Sequence, residues 1–205
     1  MSDKEASKQK ILLAAMKEFA EYGYEKASTN HIVENCGLSK GLIFHHYGNK
    51  HNLFLICCER AMDIYNDSVE KEFTQNSVDI LQCILNSSVF KLRMYKKEPI
   101  ASKLLIQMFV AISDGIIPEI NEKYSIFIQN WKNKIFDNSD ESVLRDDFTA
   151  SDIENYILLI IETYANRFLS KYNNNYIEAA EHLDEFITEI EKIQTLVKSG
   201  TYKKD

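Results

Sequence analysis

The sequence is poor in residues that make turns. Only six glycines and two prolines occur in 205 residues, too few for the many tight turns of a β-sandwich or β-barrel. Four of the six glycines lie within the first 50 residues, and the rest of the chain follows a nearly unbroken helical pattern. Hydrophobic residues make up 45% of the chain, so global disorder is not indicated. The composition predicts an all-α fold.

The sequence also lacks signals for export or for a membrane. No apolar signal-peptide core occurs at the N-terminus, and no stretch of about 18 apolar residues predicts a membrane span. The four cysteines, Cys36, Cys57, Cys58 and Cys83, show no CxxC spacing, and neighbours such as Cys57 and Cys58 point to different faces of a helix. These features predict a reduced, cytoplasmic protein.

Overall positive charge is absent as well, since the net charge is −7. The charge is unevenly placed: residues 1–60 carry eight Lys/Arg and seven Asp/Glu, whereas residues 61–205 carry sixteen and twenty-four. Four of the five histidines lie in the first 60 residues. Because the charge at the contact, rather than the total charge, governs phosphate binding, the acidic body is compatible with a local nucleic-acid site.

Apolar residues recur at three- and four-residue spacing along most of the chain, which predicts amphipathic helices. The predicted helices are 7–22, 29–35, 40–47, 50–73, 77–97, 99–114, 118–135, 150–171 and 176–198. Gly23 is expected to end the first of them. Residues 137–149 are acidic and rich in turn formers, which predicts a mobile connection, and residues 199–205 are predicted to be a frayed tail.

The segment 28–54 combines two short helices with a turn that contains Gly37. Glycine accepts the positive φ that a tight bend between helices requires. Ser28 or Thr29 is available to cap the first short helix, and Ser39 the second. Two short helices around such a turn, followed by a longer helix, are typical of a DNA-binding helix-turn-helix.

This segment resembles the TetR family of transcriptional regulators. The resemblance covers residues 7–60 and rests on Ile11, Ala14, Ala15, Phe19, Gly23-Tyr24, Thr29, Ile32-Val33, Gly37, Leu53-Phe54 and the run Ser-Lys-Gly-x-Ile-Phe-x-His-Tyr-x-x-Lys of residues 39–50. It implies a three-helix DNA-binding head at 1–48 and a helical body at 49–205 for ligand binding and dimerisation. It also implies a homodimer in which 150–171 and 176–198 build a four-helix bundle, and these two segments carry wide apolar faces of their own.

Nine residues are predicted to contact DNA: Thr29, Ser39, Lys40, Gly41, Leu42, His45, His46, Tyr47 and Lys50. Thr29 and Ser39 place hydroxyls at helix N-termini, where the free backbone N–H groups favour a phosphate, although either residue is equally well explained as a helix cap. Lys40 is within reach of a phosphate or a guanine edge. Gly41 has no side chain and allows the backbone a close approach to DNA.

The resemblance implies that His46, Tyr47 and Lys50 clamp the sugar–phosphate backbone. Leu42 and His45 depart from the family pattern, which often has a small polar residue and a tyrosine there. A thymine methyl is the expected partner of Leu42, and either a phosphate or a base that of His45. Five apolar residues are assigned to the core without a DNA role: Ile32, Val33, Leu38, Ile43 and Phe44.

A ligand cavity is predicted in the body, where an ordinary core is the alternative explanation of the same residues. Seven bulky, adaptable side chains are expected to line it: Phe90, Met94, Met108, Phe109, Trp131, Tyr156 and Tyr164. The expected effector is a small, largely apolar molecule. No cofactor is predicted, and no metal site, since neighbours such as His45 and His46 diverge by roughly 100° around a helix.

The predicted function is sequence-specific transcriptional regulation at a near-palindromic operator in double-stranded DNA. The protein is expected to be a repressor that the ligand releases through a movement of the helix at 50–73. No catalytic motif is present, so an enzyme is not predicted. The alternative is a TetR-like interaction protein that has lost DNA binding and docks on a protein partner.

Overall fold

The computed structural model describes residues 3–73, 79–115, 117–136 and 139–203. The helices in these ranges are α1 (Asp3–Lys26), α2 (Thr29–Cys36), α3 (Lys40–Tyr47), α4 (Lys50–Glu72), α5 (Ile80–Lys97), α6 (Pro99–Ser113), α7 (Glu119–Phe136), α8 (Ala150–Lys171), α9 (Tyr176–Glu181) and α10 (Leu183–Thr201). Within the same ranges there is no β-strand, apart from isolated bridges that join Asp79 to Asp140 and Leu144 to Tyr202. The predicted all-α fold is confirmed.

The first helix differs from its prediction at Gly23. Instead of ending there, the chain kinks, with φ 69° and ψ 178° at Gly23, and the helical turn resumes as far as Lys26. A Cβ at this position would lie 2.7 Å from the Gln107 side-chain oxygen. Positive φ and a close neighbour from α6 together explain why glycine occupies the kink.

The last predicted helix is in fact two helices. It breaks at His182, whose backbone lies at φ −104° and ψ 31° between α9 and α10. The His182 ring stacks on Tyr172, with 4.7 Å between ring centroids and an angle of 15° between the planes. The apolar periodicity runs through the break, so the sequence pattern did not reveal it.

The predicted mobile connection is wrong for residues 139–149, and the predicted frayed tail is wrong for 199–203. Each segment supplies the hydrogen-bonding partners of the other. The Arg145 guanidinium donates to the Gly200 carbonyl at 2.7 Å, and the Lys203 backbone N–H donates to the Val143 carbonyl at 3.0 Å. Leu144, between them, is 5% exposed. Residues 137–138 and 204–205 lie outside the described ranges.

The chain divides into two compact units. Unit 1 consists of Met1–Val69 and Glu98–Gln129; in it α1 packs against α2, α3 and α6. Unit 2 consists of Glu70–Lys97 and Asn130–Asp205, and its helix α5 packs against α8, α9 and α10. The division into a DNA-binding head at 1–48 and a helical body at 49–205 stays a prediction.

Candidate nucleic-acid interface

Helices α2 and α3 meet at a turn whose geometry follows from Gly37 and Ser39. Gly37 is left-handed, with φ 66°, and its N–H donates to the Val33 carbonyl at 3.0 Å, which closes α2. Ser39 is the N-cap of α3, and its hydroxyl oxygen accepts a hydrogen bond from the Leu42 N–H at 3.3 Å. The predicted helix-turn-helix is therefore present, and the Ser39 hydroxyl has a capping role.

Helix α3 is buried on one side only. Ile43 and Tyr47, four residues apart, are 2% and 4% exposed. The opposite side, which we call the α3 face, consists of the exposed residues Lys40, Gly41, Phe44 and His45. Leu42 lies at its border and is half-buried. Three of the four residues on this face, Lys40, Gly41 and His45, are among the nine predicted DNA contacts.

Phe44 corrects a prediction, because it is 37% exposed rather than part of the core. It follows Lys40 by four residues and so lies on the same side of the helix. Phe44 directly follows Ile43, and successive side chains of a helix are turned by about 100°, so the burial of Ile43 does not imply that of Phe44. Counting in steps of four from Lys40 would have identified Phe44 as exposed.

Lys40 is linked to the preceding helix. Its ammonium group donates to the side-chain oxygen of Asn30 at 2.9 Å, and both residues are exposed. Asn30 is the second residue of α2, so this hydrogen bond connects the first turns of the two helices. The Lys40 ammonium is thereby held near the start of both helices, where backbone N–H groups and the helix dipoles attract an anion.

The Tyr47 hydroxyl is engaged in a hydrogen bond within the protein. Its hydroxyl donates to the Lys8 carbonyl at 2.8 Å, and burial raises the pKa of Tyr47 to about 12. A hydroxyl proton engaged in this bond is not available to a phosphate. The hydrogen bond instead ties the end of α3 to α1.

Three other residues were predicted to contact phosphates: Lys50, His46 and Thr29. The Lys50 ammonium donates to the Glu25 carbonyl at 3.1 Å and lies 4.9 Å from the centroid of the Tyr24 ring. The Nε2 atom of His46 is buried and has no hydrogen-bonding partner among the described residues. Thr29, the first residue of α2, is half-buried.

Comparison with known proteins identifies this segment. The family profile described as "Bacterial regulatory proteins, tetR family" matches residues 11–57, which span α1 from its first buried residue, all of α2 and α3, and the start of α4. The match covers about a quarter of the chain, so it shows the likeness to this family for residues 11–57, which we call the TetR domain.

A curated relative is similar over a segment of comparable length. The HTH-type transcriptional repressor AcnR of Corynebacterium glutamicum is 53% identical over 49 residues. The match spans 24% of this chain and 26% of AcnR, so it covers about a quarter of either protein.

Two solved structures resemble the whole chain. A TetR family transcription regulator from Marinobacter aquaeolei VT8 has a TM-score of 0.63 at 16% identity and covers 98% of this chain and 97% of its own. The multidrug binding protein EbrR, solved as a complex with imidazole, has a TM-score of 0.58 at 13% identity, with 91% and 93% covered. At these identities the likeness establishes the fold, which is a helix-turn-helix head with a helical body.

Ser28 and Thr29 were both available in the sequence to cap α2, and Ser28 is the N-cap. Its backbone is extended at φ −113° and ψ 122°, yet its side chain makes no capping hydrogen bond. The Ser39 hydroxyl, by comparison, accepts from the Leu42 N–H and keeps its own proton for a phosphate. The Ser28 hydroxyl is therefore a further candidate for a phosphate contact, beside the predicted Thr29 and Ser39.

The seven predicted ligand-lining residues fall into three groups by exposure: buried, exposed and half-buried. Phe90, Met94 and Met108 are buried at 0%, 1% and 0% exposure. Phe109 and Tyr156 are exposed at 54% and 64%. Their role in ligand binding stays a prediction.

Trp131 and Tyr164 of the same seven are half-buried. The Lys91 ammonium lies 4.6 Å from the centroid of the Trp131 ring, and Trp131 Nε1 is buried without a hydrogen-bonding partner among the described residues. Tyr164 packs against the ring of Phe186, at 5.6 Å between centroids. It also lines an open groove of about 370 Å³ with Leu159, Ile160, Thr163, Arg167 and Ile193.

Three further kinds of feature are a metal centre, a reactive thiol and a membrane-spanning helix. No group of three or more His, Cys, Asp or Glu residues there is arranged to hold a metal ion. Cys57 and Cys58 are buried, and burial raises the pKa of both thiols, which keeps them protonated. No described helix is long and apolar enough to cross a membrane.

Proposed function

We propose that this protein is a sequence-specific DNA-binding transcriptional repressor that acts in the cytoplasm. The observation that carries the proposal is the α3 face, a polar and glycine-containing surface on the second helix of a TetR-family helix-turn-helix. In helix-turn-helix proteins this second helix enters the major groove. The similarity of a segment of comparable length to the repressor AcnR favours repression.

The proposed contacts fall into two classes. Gly41, Leu42 and His45 lie where base edges are read, and Lys40 lies beside them within reach of a phosphate. Phosphates are held by the clamp residues, which we revise to Ser28, Thr29, Ser39, His46 and Lys50. Tyr47 contributes by fixing α3 on α1 through its bond to the Lys8 carbonyl. Phosphate contacts set the register of the protein on DNA, and the reading residues supply its specificity.

We further propose a homodimer formed through α8 and the α9–α10 segment, which correspond to the predicted 150–171 and 176–198. Four large apolar side chains support this: Tyr156, Leu159, Ile160 and Leu196, with exposures of 64%, 63%, 44% and 73%. We call them the α8–α10 face. Exposed apolar area of this kind favours association with a second apolar surface. A two-fold dimer presents two recognition helices about 34–36 Å apart to a near-palindromic operator.

Control by a small, largely apolar molecule in residues 49–205 completes the proposal. The fold is shared with EbrR, a multidrug binding protein, which supports a ligand-binding body. Helix α4 has residues in both compact units, since the first segment of unit 1 ends at Val69 while α4 ends at Glu72. A ligand that favours one position of α4 over another would shift the population of DNA-binding molecules.

The test is a selection of bound sequences from random duplex DNA with the full-length protein. The proposal predicts enrichment of one near-palindromic sequence, and loss of that enrichment for Lys40→Ala. Repeating the selection with a panel of apolar ligands would reveal the effector as the compound that abolishes enrichment. Absence of any enriched sequence, or enrichment that Lys40→Ala leaves unchanged, would contradict the proposal.

A further inference from the structure

Glu18 is a charged side chain buried inside the TetR domain. It is 4% exposed, and the other buried polar residues of the described ranges are serines and a glutamine. A buried carboxylate is destabilising unless it is hydrogen-bonded. The partners of Glu18 therefore indicate why a carboxylate stands at this position of α1.

Both hydrogen bonds to Glu18 come from the first turn of α2. The backbone N–H of Ser28 donates to Glu18 Oε1 at 2.8 Å. The Nδ1–H of His31 donates to the same oxygen at 3.2 Å. Ser28 is the N-cap of α2 and His31 is its third residue, so one buried oxygen holds both ends of the turn.

Helix α8 shows the usual capping arrangement, in which the carboxylate comes from the helix that it caps. At the start of α8, the carboxylate of Asp152 accepts the N–H of the N-cap Thr149 at 2.9 Å, and the two residues form a capping box. In α2 the equivalent third position is His31, and the first turn contains no acidic residue. Glu18 supplies the missing carboxylate from α1.

A carboxylate supplied by α1 has a consequence that a capping box within α2 would lack. It fixes the first turn of α2 to α1, because the hydrogen bonds join two helices. It also satisfies the backbone N–H of the N-cap Ser28, which in a capping box would be bonded by the third residue of the helix. The Ser28 side chain makes no capping hydrogen bond. The first turn of α2 therefore has a hydroxyl for an outside acceptor, beside Asn30, which accepts a hydrogen bond from the Lys40 ammonium at 2.9 Å.

We propose that Glu18 is a positioning residue for DNA binding. It fixes the first turn of α2 so that the Ser28 hydroxyl and the Lys40 ammonium contact the phosphate backbone of the same DNA molecule together. This inference rests on the proposed DNA-binding function. Glu18 itself does not touch DNA in this arrangement and acts through Ser28 and His31. A hydrogen-bond acceptor at Glu18, rather than bulk, is what the arrangement requires.

Two substitutions separate the acceptor from the bulk. Glu18→Gln retains an oxygen that accepts from the Ser28 N–H, whereas Glu18→Leu fills the site without any acceptor. We expect the operator affinity of the Gln variant to stay within about threefold of the wild type and that of the Leu variant to fall by about tenfold or more. Glu21→Leu, which removes an exposed carboxylate of the same helix paired with Lys103, is the matched control and should bind as the wild type does.

A second readout examines the hydrogen bond without DNA. The amide proton resonance of Ser28, recorded by NMR in the free full-length protein, should move between the wild type, where a carboxylate accepts the bond, and Glu18→Gln, where a neutral amide oxygen accepts it. In the control Glu21→Leu the Ser28 resonance should stay at its wild-type position. Because this readout does not need the Leu variant of Glu18, it decides the hydrogen bond even where that variant fails to fold.

The outcomes distinguish the two proposals. A Ser28 resonance that is identical in the wild type and in Glu18→Gln, or Gln and Leu variants that lose affinity equally, would overturn the positioning role. A wild-type protein that binds no DNA, while its Ser28 resonance still differs from that of Glu18→Gln, would instead overturn the proposed function.

Discussion

The α3 face and the α8–α10 face are both exposed, yet they are built from different chemistry. The first contains a lysine, a glycine and a histidine with one aromatic side chain, and the second contains four large apolar side chains. A polar face with a glycine suits a charged partner that approaches the backbone closely. An apolar face of that size is stabilised by covering it with another apolar surface. The two surfaces therefore suit the two partners that we propose, DNA and a second copy of the chain.

The largest expected effect comes from placing a charge in the α8–α10 face. Leu159→Asp should convert the dimer to a monomer, since an aspartate buried in an apolar interface would be unpaired. Operator affinity should fall by about 100-fold, because the second head no longer binds as part of the same molecule. Analytical ultracentrifugation and an operator-binding titration measure the two effects.

The control for this variant is Ile126→Asp, which changes an equally exposed isoleucine of α7, at 53% exposure, outside the α8–α10 face. It should remain dimeric. A dimeric Leu159→Asp protein would show that a different surface carries the dimer.

A smaller effect, with opposite signs in two assays, is expected at Gly41. No atom lies within 4 Å of a Cβ built there, and glycine within a helix is destabilising by roughly 0.5–1 kcal/mol relative to alanine. Gly41→Ala should therefore raise the free energy of unfolding while it lowers operator affinity by about tenfold. Thermal or urea unfolding and a binding titration give the two numbers.

Gly200 in α10 offers the matched control, because it also has open space around its Cβ position. Gly200→Ala should gain stability without a change in DNA affinity. If the two glycine variants bound DNA with equal affinity, Gly41 would not be one of the residues that approach the base edges.

The smallest expected effect is that of Tyr47→Phe. The change deletes the hydrogen bond to the Lys8 carbonyl and should lower the free energy of unfolding by about 0.5–1.5 kcal/mol. DNA affinity under conditions where the protein is folded should hardly change, since the ring stays in place. Tyr22→Phe, at 50% exposure, is the control for loss of a hydroxyl. A fall in DNA affinity without a loss of stability would restore Tyr47 to the phosphate clamp.

Much of unit 1 was predictable because its turns depend on particular residues. Gly37 and Ser39 have requirements that the sequence states directly, namely a positive φ and a capping oxygen. The kink at Gly23 was predicted as an end because glycine alone does not tell whether the helix resumes. The buried side of α3 was assigned too broadly, which placed the exposed Phe44 in the core.

The features that could not be predicted depend on contacts between residues far apart in the sequence. The anchoring of residues 139–149 depends on Gly200 and Thr201, more than 50 residues away. The role of Glu18 depends on Ser28 and His31, which lie on another helix. Neither local propensity nor periodicity contains such information. The ligand-lining residues remain undecided for the same reason, since a core and a cavity use the same apolar side chains.

The most direct test of the central claim is the salt dependence of operator binding by the wild type and Lys40→Ala. For a protein that binds DNA phosphates, the logarithm of the affinity falls linearly with the logarithm of the salt concentration. Lys97→Ala, which removes an exposed lysine at the end of α5, is the control and should keep the wild-type slope. We predict a steep wild-type slope that Lys40→Ala reduces by about one. Binding that does not depend on salt, or identical slopes for all three proteins, would contradict the assignment of the α3 face to DNA.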